Sequence, residues 1–195
     1  MIEPSAGPQW PHLETARLLL RPPLLEDMDG WAAMMADEPC ARFIGGLQPR
    51  AVVWRALTCM AGAWLLQGFA MFSVIEKSTG RWIGRLGPWQ PEGWPGQEVG
   101  WAIARDCWGR GYALEGATAA MDFVFEELGW EEVIHSIAPE NLASQKLAQR
   151  LGSMLRGPGK LPAPYENNPI DLWGQTRAQW RAGRAARMAQ VARGA

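Results

Sequence analysis

Two glycines, Gly109 and Gly111, lie in the stretch CWGRGYALEG (107–116), between a predicted strand (99–104) and a predicted helix (112–129). The first turn of a helix leaves backbone N–H groups without partners inside the helix, and glycine lets such a backbone approach an anion closely. The residue types and their spacing therefore suit a site that binds phosphate groups.

The two best-known phosphate-binding motifs do not fit this turn. A dinucleotide fingerprint GxGxxG would need glycine where Leu114 stands, and a P-loop over 111–118 would need lysine where Ala117 stands. Both mismatches fall on residues that carry the chemistry of the motif. From these ten residues alone, an ordinary turn with glycines for geometry remains open beside an anion site of another kind.

Composition limits the class of protein that can hold this turn. The chain has 195 residues and a net charge of −1, which suggests one domain and excludes broad electrostatic attraction to nucleic acid or membrane. Its three cysteines form no CxxC pair, so we expect reduced thiols and no zinc site. With no apolar run near 20 residues and no signal-peptide pattern at the start, we expect a cytoplasmic protein.

Hydrophobic patterning predicts an α/β domain around the turn. Strands are expected at 17–22, 69–77, 81–90, 98–104, 131–138, 153–159 and 170–173, and helices after 24, at 50–68, at 112–129 and at 143–152. Gly68 and Gly152 are expected to end two of the helices. The element order gives a mixed sheet whose central strands are antiparallel.

Four sequence blocks follow one another along the chain: LETARLLLRPPLLED (13–27), EVGWAI (98–103), WGRGYA (108–113) and PENLASQKLAQRLG (139–152). Their order resembles the GNAT superfamily of N-acetyltransferases, in particular its RimJ/RimL-like branch. WGRGYA is similar to the pyrophosphate-binding turn Q/R-x-x-G-x-G/A, with Trp108 in place of the usual Gln or Arg. The other three blocks resemble the branch's opening strand and helix start, its central strand and its later helix, with Ser153 where an aromatic residue is usual. The resemblance spans about residues 13–175 and implies a central sheet with a splayed pair of strands, flanked by helices.

The resemblance implies acetyl-CoA as cosubstrate, with no metal ion. Its pyrophosphate would lie on the backbone of 109–114, and a backbone N–H near Ala102–Ile103 would stabilise the oxyanion. Arg105 and Arg110 flank the turn and could attract CoA phosphates, with plain solvent exposure as the alternative. The candidate acetyl-CoA contacts are Ala102, Ile103, Arg105, Gly109, Arg110, Gly111, Tyr112, Ala113, Leu114, Asn141 and Ser144.

Direct acetyl transfer to an amine needs a base for the amine and a proton for the departing thiolate. Glu98 is the candidate base, with a water relay or a purely structural Glu98 as alternatives. Ser144 is the candidate acid, and Asn141 would contact the pantetheine arm. Asn and Ser are also good helix caps, so a capping pair is the alternative for both. Tyr165 is a second candidate acid or a wall of the acceptor pocket, and His135 is expected to be a hydrogen-bonded structural residue.

The acceptor is left open by the sequence. A protein N-terminus and a small amine such as an aminoglycoside are both compatible with the resemblance. A module that binds acetyl-CoA without catalysis would keep the turn and tolerate loss of Glu98, Asn141 and Ser144, and all three are present. The chain divides into an N-terminal extension (1–12), an acetyltransferase domain (13–176) and a basic C-terminal helix or tail (177–195). That tail could contact ribosomal RNA or be merely solvated, and a homodimer is possible.

Overall fold

A computed structural model describes residues 10–184, which form an α/β domain built on one open sheet. The eight strands of the described range are β1 (Leu13–Glu14), β2 (Leu18–Arg21), β3 (Phe72–Glu76), β4 (Trp82–Trp89), β5 (Glu98–Ile103), β6 (Glu132–Ile137), β7 (Met154–Gly159) and β8 (Ile170–Thr176). They lie in the order β1-β2-β3-β4-β5-β6-β8-β7. Neighbours pair antiparallel except β5 and β6, which are parallel, so the predicted mixed sheet is confirmed.

Helices connect and cover these strands. They are α1 (Met28–Met35), α2 (Glu38–Ala41), α3 (Arg50–Gln67), α4 (Tyr112–Glu126), α5 (Leu142–Leu151) and α6 (Arg177–Ala182). Gly68 and Gly152 end α3 and α5 in the left-handed conformation, as predicted, because glycine adopts positive φ without a Cβ clash. Between residues 10 and 184, no helix is both long and apolar enough to cross a bilayer.

Strands β5 and β6 are paired in parallel over only one residue pair. Glu98 and Ile134 are the one pair in register, and the Ile134 N–H donates to the Gln97 carbonyl over 2.8 Å. Beyond this point β5 continues alongside β4 and β6 continues alongside β8. The sheet therefore forks, and the two strands diverge towards the glycine turn that follows β5.

Helix α4 fixes the glycine turn against the sheet. Met121, Val124 and Phe125 on its apolar face are fully buried. Gly116 allows the helix to lie close to the strands, since a Cβ there would stand 2.6 Å from Leu86 Cδ2 and 3.4 Å from Leu18 Cδ1. The N-terminus of α4 is thus packed at the end of β5, and a helix N-terminus can bind an anion.

Helix α6, the start of the predicted basic tail, packs on the domain. Trp180 is buried and its indole N–H donates to Asp122 over 2.8 Å. Arg177 is bonded to Glu131 and Arg181 to Glu126, so these two basic side chains are engaged within the chain. Arg187 and Arg193 of the predicted tail lie outside the described residues.

Candidate active site

Two buried side chains occupy the fork where β5 and β6 separate. The His135 Nδ1 lies 2.7 Å from the Val99 carbonyl, and Ser136 donates its N–H (3.3 Å) and its hydroxyl (2.9 Å) to the Glu98 carboxylate. In an uninterrupted parallel ladder, backbone groups of the two strands would bond each other directly. Here the imidazole and the carboxylate take that place, so they keep the strands apart.

His135 is held neutral by its surroundings. A carbonyl can only accept a hydrogen bond, so Nδ1 carries the proton, and Nε2 accepts from the Ser153 hydroxyl at 2.9 Å. The Ser153 oxygen in turn accepts from Gln175 Nε2. Burial without a carboxylate partner lowers the pKa of His135 to about 4. The prediction of a hydrogen-bonded structural histidine is confirmed, and Ser153 is its partner.

This buried histidine should make the fold sensitive to mild acid. An ordinary histidine has a pKa of 6.5, so in the unfolded chain this side chain becomes protonated below that pH. In the folded protein His135 stays neutral until about pH 4. The free energy of unfolding should therefore fall by about 3 kcal/mol between pH 6.5 and 4 on account of this group. We expect urea denaturation across that range to show a flatter pH dependence for His135→Gln.

The exposed His12 supplies the matched control for this experiment. His12→Gln should keep the pH dependence of the unmodified chain. Equal slopes for His135→Gln and the unmodified chain would contradict a neutral, buried His135.

Glu98 is the buried carboxylate of the site. Its side chain comes from the first residue of β5, and the residue is 6% exposed. Besides Ser136, the indole N–H of Trp94 donates to Oε2 over 2.5 Å. Burial raises the pKa of Glu98, and the bonds from Trp94 and Ser136 oppose that rise. A carboxylate with a raised pKa is a stronger base than an exposed one, which suits it to accept a proton from an amine.

The backbone of β5 exposes only alternate amides to the fork. Gln97 and Val99 direct their carbonyls towards β6, while Ala104 donates to Ile83 of the β4 side. Because the backbone groups of a strand alternate in direction, the amides of Trp101 and Ile103 face the fork and that of Ala102 faces β4. Of the two amides predicted for the oxyanion, Ala102 is thus on the wrong edge of the strand and Ile103 remains.

The glycine turn adopts a conformation that needs its glycines. Gly109 and Gly111 have φ of 73° and 81°, in the left-handed region that other residues rarely adopt. Gly111 is the N-cap of α4, and no side chain caps this end of the helix. The amides of Tyr112, Ala113 and Leu114 form the first helical turn, so they point to the site as unpaired donors of the kind that bind phosphate.

Trp108 supports the turn through its side chain, which the sequence did not indicate. Its indole N–H donates to the Ile103 carbonyl over 2.7 Å, and half of the side chain is exposed. The bond ties the middle of the turn to the end of β5. Trp108 therefore replaces the usual Gln or Arg of this position with a different donor.

The charged side chains around the turn differ in how they are paired within the chain and in their exposure. Arg17 pairs with buried Glu115 at 2.6 Å and also donates to the Arg110 carbonyl, so it fastens the turn to the first hairpin. Arg105 is exposed and lies 3.4 Å from Asp37, and the Arg110 side chain is exposed. The hydroxyl of Tyr112 donates to buried Glu76, and the Arg110 side chain also lies beside it. Among the predicted contacts, Tyr112 thus offers its backbone alone.

Asn141 and Ser144 lie at the start of α5, across the fork from β5. Asn141 caps the helix by accepting the Ser144 N–H at 3.1 Å, so the capping interpretation is correct for the Asn141 side chain, while Ser144 takes part only through its backbone. The Ser144 hydroxyl also accepts the indole N–H of Trp101 from β5, at 3.1 Å. Its own proton is left to donate elsewhere, so capping does not exclude a role as acid.

The forked sheet, the glycine turn and the buried carboxylate are the features that would suit a protein that binds an anionic cosubstrate along β5. The Acetyltransferase (GNAT) domain family matches residues 17–154, and the chain belongs to that family. It is an acetyl-transferring enzyme, and acetyl-CoA is the cosubstrate of the family. In the described part of the chain, no cluster of three or more His, Cys, Asp or Glu residues could hold a metal ion.

Relatives and solved structures agree with this assignment. The chain is 31% identical over 149 residues to the uncharacterized N-acetyltransferase p20 of Bacillus licheniformis, covering 74% of this chain and 83% of p20. It is 36% identical over 87 residues to the uncharacterized protein YkkB of Bacillus subtilis, spanning 44% of this chain and only 51% of YkkB. An acetyltransferase structure from Agrobacterium tumefaciens superposes with a TM-score of 0.75 and 28% identity over 85% of this chain and 94% of that one.

Proposed function

We propose that the protein transfers the acetyl group of acetyl-CoA directly to a primary amine at the fork between β5 and β6. The observation that carries the proposal is the position of Glu98. Its buried carboxylate stands where the two strands part, on the same strand that leads to the glycine turn. Cosubstrate bound at the turn and along the open edge of β5 would bring its thioester to this carboxylate.

The turn would hold the pyrophosphate through backbone donors. Gly109 and Gly111 give the backbone its left-handed path, and the uncapped first turn of α4 supplies the positive end of the helix dipole. Arg110 and Arg105 are exposed beside it and add positive charge for the phosphates of CoA. The Ile103 amide, facing the fork, is the candidate donor to the oxyanion.

Glu98 would act as the base. An amine must lose its proton before it attacks the thioester carbon, and the carboxylate can accept that proton directly or through one water. Trp94 and Ser136 hold the carboxylate in one orientation, so it does not have to be ordered during the reaction. As the tetrahedral intermediate collapses, the carbon–sulfur bond breaks and the electron pair leaves with the thiolate.

Ser144 would protonate or hydrogen-bond that thiolate. The Trp101 indole donates into the Ser144 oxygen, and a hydroxyl that accepts one hydrogen bond is a better donor of its own proton. Asn141, at the N-cap, would contact the pantetheine arm from the same helix end.

We expect Ser144→Ala to lower kcat about tenfold, because a general acid helps a thiolate leave and yet a thiolate departs fairly well alone. The dissociation constant for acetyl-CoA should stay within twofold, since the cap from Asn141 to the backbone is kept. Steady-state kinetics with calorimetry measures both quantities. Gln149→Ala on the exposed side of α5 is the control. A variant that keeps its kcat, with or without a loss of stability, would remove Ser144 as the acid.

The acceptor is the finer part of the proposal. The opening strand, the central strand and the 139–152 block resemble the RimJ/RimL-like branch, which supports a protein N-terminus in the cytoplasm as acceptor, with a small amine as the second candidate. Of the basic tail, Arg177 and Arg181 pair with acids of the domain, so a contact with ribosomal RNA would fall to the arginines beyond them.

Release of CoA thiol in the presence of amines tests the proposal. Peptides with free N-termini, the same peptides acetylated at the N-terminus, polyamines and aminoglycosides would be compared at one acetyl-CoA concentration. Thiol release with a free amine, and none with its blocked counterpart, supports direct transfer. Binding of acetyl-CoA without transfer to any amine would favour the alternative, a module that senses acetyl-CoA.

A further inference from the structure

Arg85 on β4 is a mostly buried cation without a carboxylate in contact. Its Nη1 donates to the sulfur of Met71 over 2.8 Å, and its guanidinium carbon lies 5.3 Å from the centre of the Trp31 ring. Its Nε is buried and has no hydrogen-bond partner. A thioether and an indole face are weak partners for a guanidinium, so the positive charge is left largely uncompensated.

Other mostly buried arginines of the protein are treated differently. Arg17 contacts the buried carboxylate of Glu115 at 2.6 Å, and Arg21 contacts the buried carboxylate of Asp27 at 2.7 Å. Between residues 10 and 184, the ion pairs do not include Arg85. Loss of hydration lowers the pKa of Arg85 to about 10, which leaves it charged at neutral pH and unsatisfied.

Met71 lies between Arg85 and the candidate base. A Cβ on Gly100 would lie 2.5 Å from Met71 Cε and 3.4 Å from Glu98 Oε1, so the end of the Met71 side chain is close to the Glu98 carboxylate. Since Met71 also contacts Arg85, about one side chain separates Arg85 from Glu98. The Glu98 carboxylate raises the pKa of Arg85 by its charge without touching it, because its oxygens accept from Trp94 and Ser136. Tyr165 of the 160–169 loop also lies near enough to Arg85 to influence its pKa.

We propose that Arg85 binds a carboxylate of the acceptor, so that the acceptors of this enzyme are primary amines that carry a carboxylate near the amine. This inference rests on the proposed function, in which Glu98 receives the amine. An acceptor with both groups places its ammonium by Glu98 and its carboxylate by the unpartnered Nε of Arg85. A guanidinium recognises a carboxylate through two parallel N–H bonds. The Nε edge of the Arg85 guanidinium, which has no hydrogen-bond partner, could make such bonds.

Two sources supply this chemistry: a free amino acid, with its α-carboxylate, and a peptide whose N-terminal residue is acidic. Matched pairs separate them. Alanine is compared with alaninamide for the first source. Aspartyl-alanine amide is compared with asparaginyl-alanine amide for the second. Each pair differs in charge and hardly in shape. The two members also differ in the pKa of their amine, so the change in the kcat/KM ratio between the unmodified enzyme and Arg85→Met is what reports on the carboxylate.

We expect at least a tenfold preference for the carboxylate member in one pair, and a ratio near one in Arg85→Met. Arg85→Met removes the charge and keeps an apolar chain beside Met71 and Trp31. Arg85→Lys should restore part of the preference. Arg55→Met makes the same chemical change at an exposed position of α3 and should keep the full preference. Circular dichroism and acetyl-CoA titration check that each variant is folded.

Several outcomes would overturn the inference. Equal kcat/KM for both members of both pairs in the unmodified enzyme would show that the enzyme does not recognise a carboxylate on the acceptor. A preference that persists in Arg85→Met would show that Arg85 is not the residue that recognises it. A loss of kcat in Arg85→Met that is equal for both members would make Arg85 an electrostatic aid to the reaction and not an acceptor ligand.

A binding readout keeps this result distinct from the proposed function. Calorimetric titration of the four acceptors into the unmodified protein and Arg85→Met needs no turnover. Tighter binding of a carboxylate member, lost in Arg85→Met, would support the anion site even where no thiol is released. Transfer to amines without any such selectivity would retain the acetyltransferase proposal and reject this one.

Discussion

Glu98→Gln should lower kcat/KM for the amine by a hundredfold to a thousandfold, which is the usual contribution of a general base. Glutamine is nearly the same size, and its carbonyl oxygen can accept the bonds that Trp94 and the Ser136 hydroxyl now give to Oε2, while the long bond from the Ser136 N–H to Oε1 is lost. The fold of the fork should therefore survive. Burial disfavours the ionised form of Glu98, so the charge is not a source of stability at neutral pH. Replacing it by glutamine should therefore not lower the free energy of unfolding.

The pH dependence of kcat/KM makes this expectation specific. A base works in its ionised form, so the rate of the unmodified enzyme should rise with pH through the pKa of Glu98. Burial places that pKa above the ordinary 4.5. Glu98→Gln should lose this limb, whereas Glu92→Gln, an exposed acid just before β5, should keep it. An unchanged rate in Glu98→Gln across pH would assign the deprotonation to a water relay.

Gly111→Glu should weaken acetyl-CoA binding at least a hundredfold, or about 3 kcal/mol. Gly111 has a φ of 81°, which strains any residue with a Cβ, and the new carboxylate would stand where the pyrophosphate is expected. The two effects can be separated, since Gly111→Ala carries the strain without the charge. Calorimetric titration gives the dissociation constant of each variant.

The matched control for the charge is Gly129→Glu. Gly129 follows the other end of α4, has a φ of 68° and has no atom within 4 Å of a Cβ position. It therefore combines a similar backbone strain with the same charge, away from the turn. Comparable loss of affinity in Gly129→Glu and Gly111→Glu would mean that the effect comes from destabilised α4 and not from the phosphate site.

The fold could be predicted because its signals are local. Apolar spacing marks α3 and α4, and Gly68 and Gly152 mark helix ends through a backbone angle that glycine alone adopts easily. The glycine turn is also a local signal, since Gly109 and Gly111 directly precede the helix α4. The fork was implied by family resemblance, because a change from one parallel pair to divergence leaves no mark on a single strand.

The parts of the site that were missed depend on contacts between distant residues. Ala102 and Ile103 are equivalent in sequence, and only the pairing of β5 with β4 shows which amide faces the fork. The hydrogen-bond chain from His135 to Ser153 and Gln175 joins three separate elements. Arg85 reads as one more basic residue of a strand until Met71 and Trp31 are seen around it.

Titration of the purified protein with acetyl-CoA by calorimetry tests the central claim most directly. Both the glycine turn and the open edge of β5 are present before any acceptor arrives, so binding should not need an amine. We expect one molecule of acetyl-CoA per chain with a micromolar dissociation constant, within the range usual for enzyme substrates. No heat of binding up to millimolar acetyl-CoA would contradict the account, because the fold would then be present without its cosubstrate site.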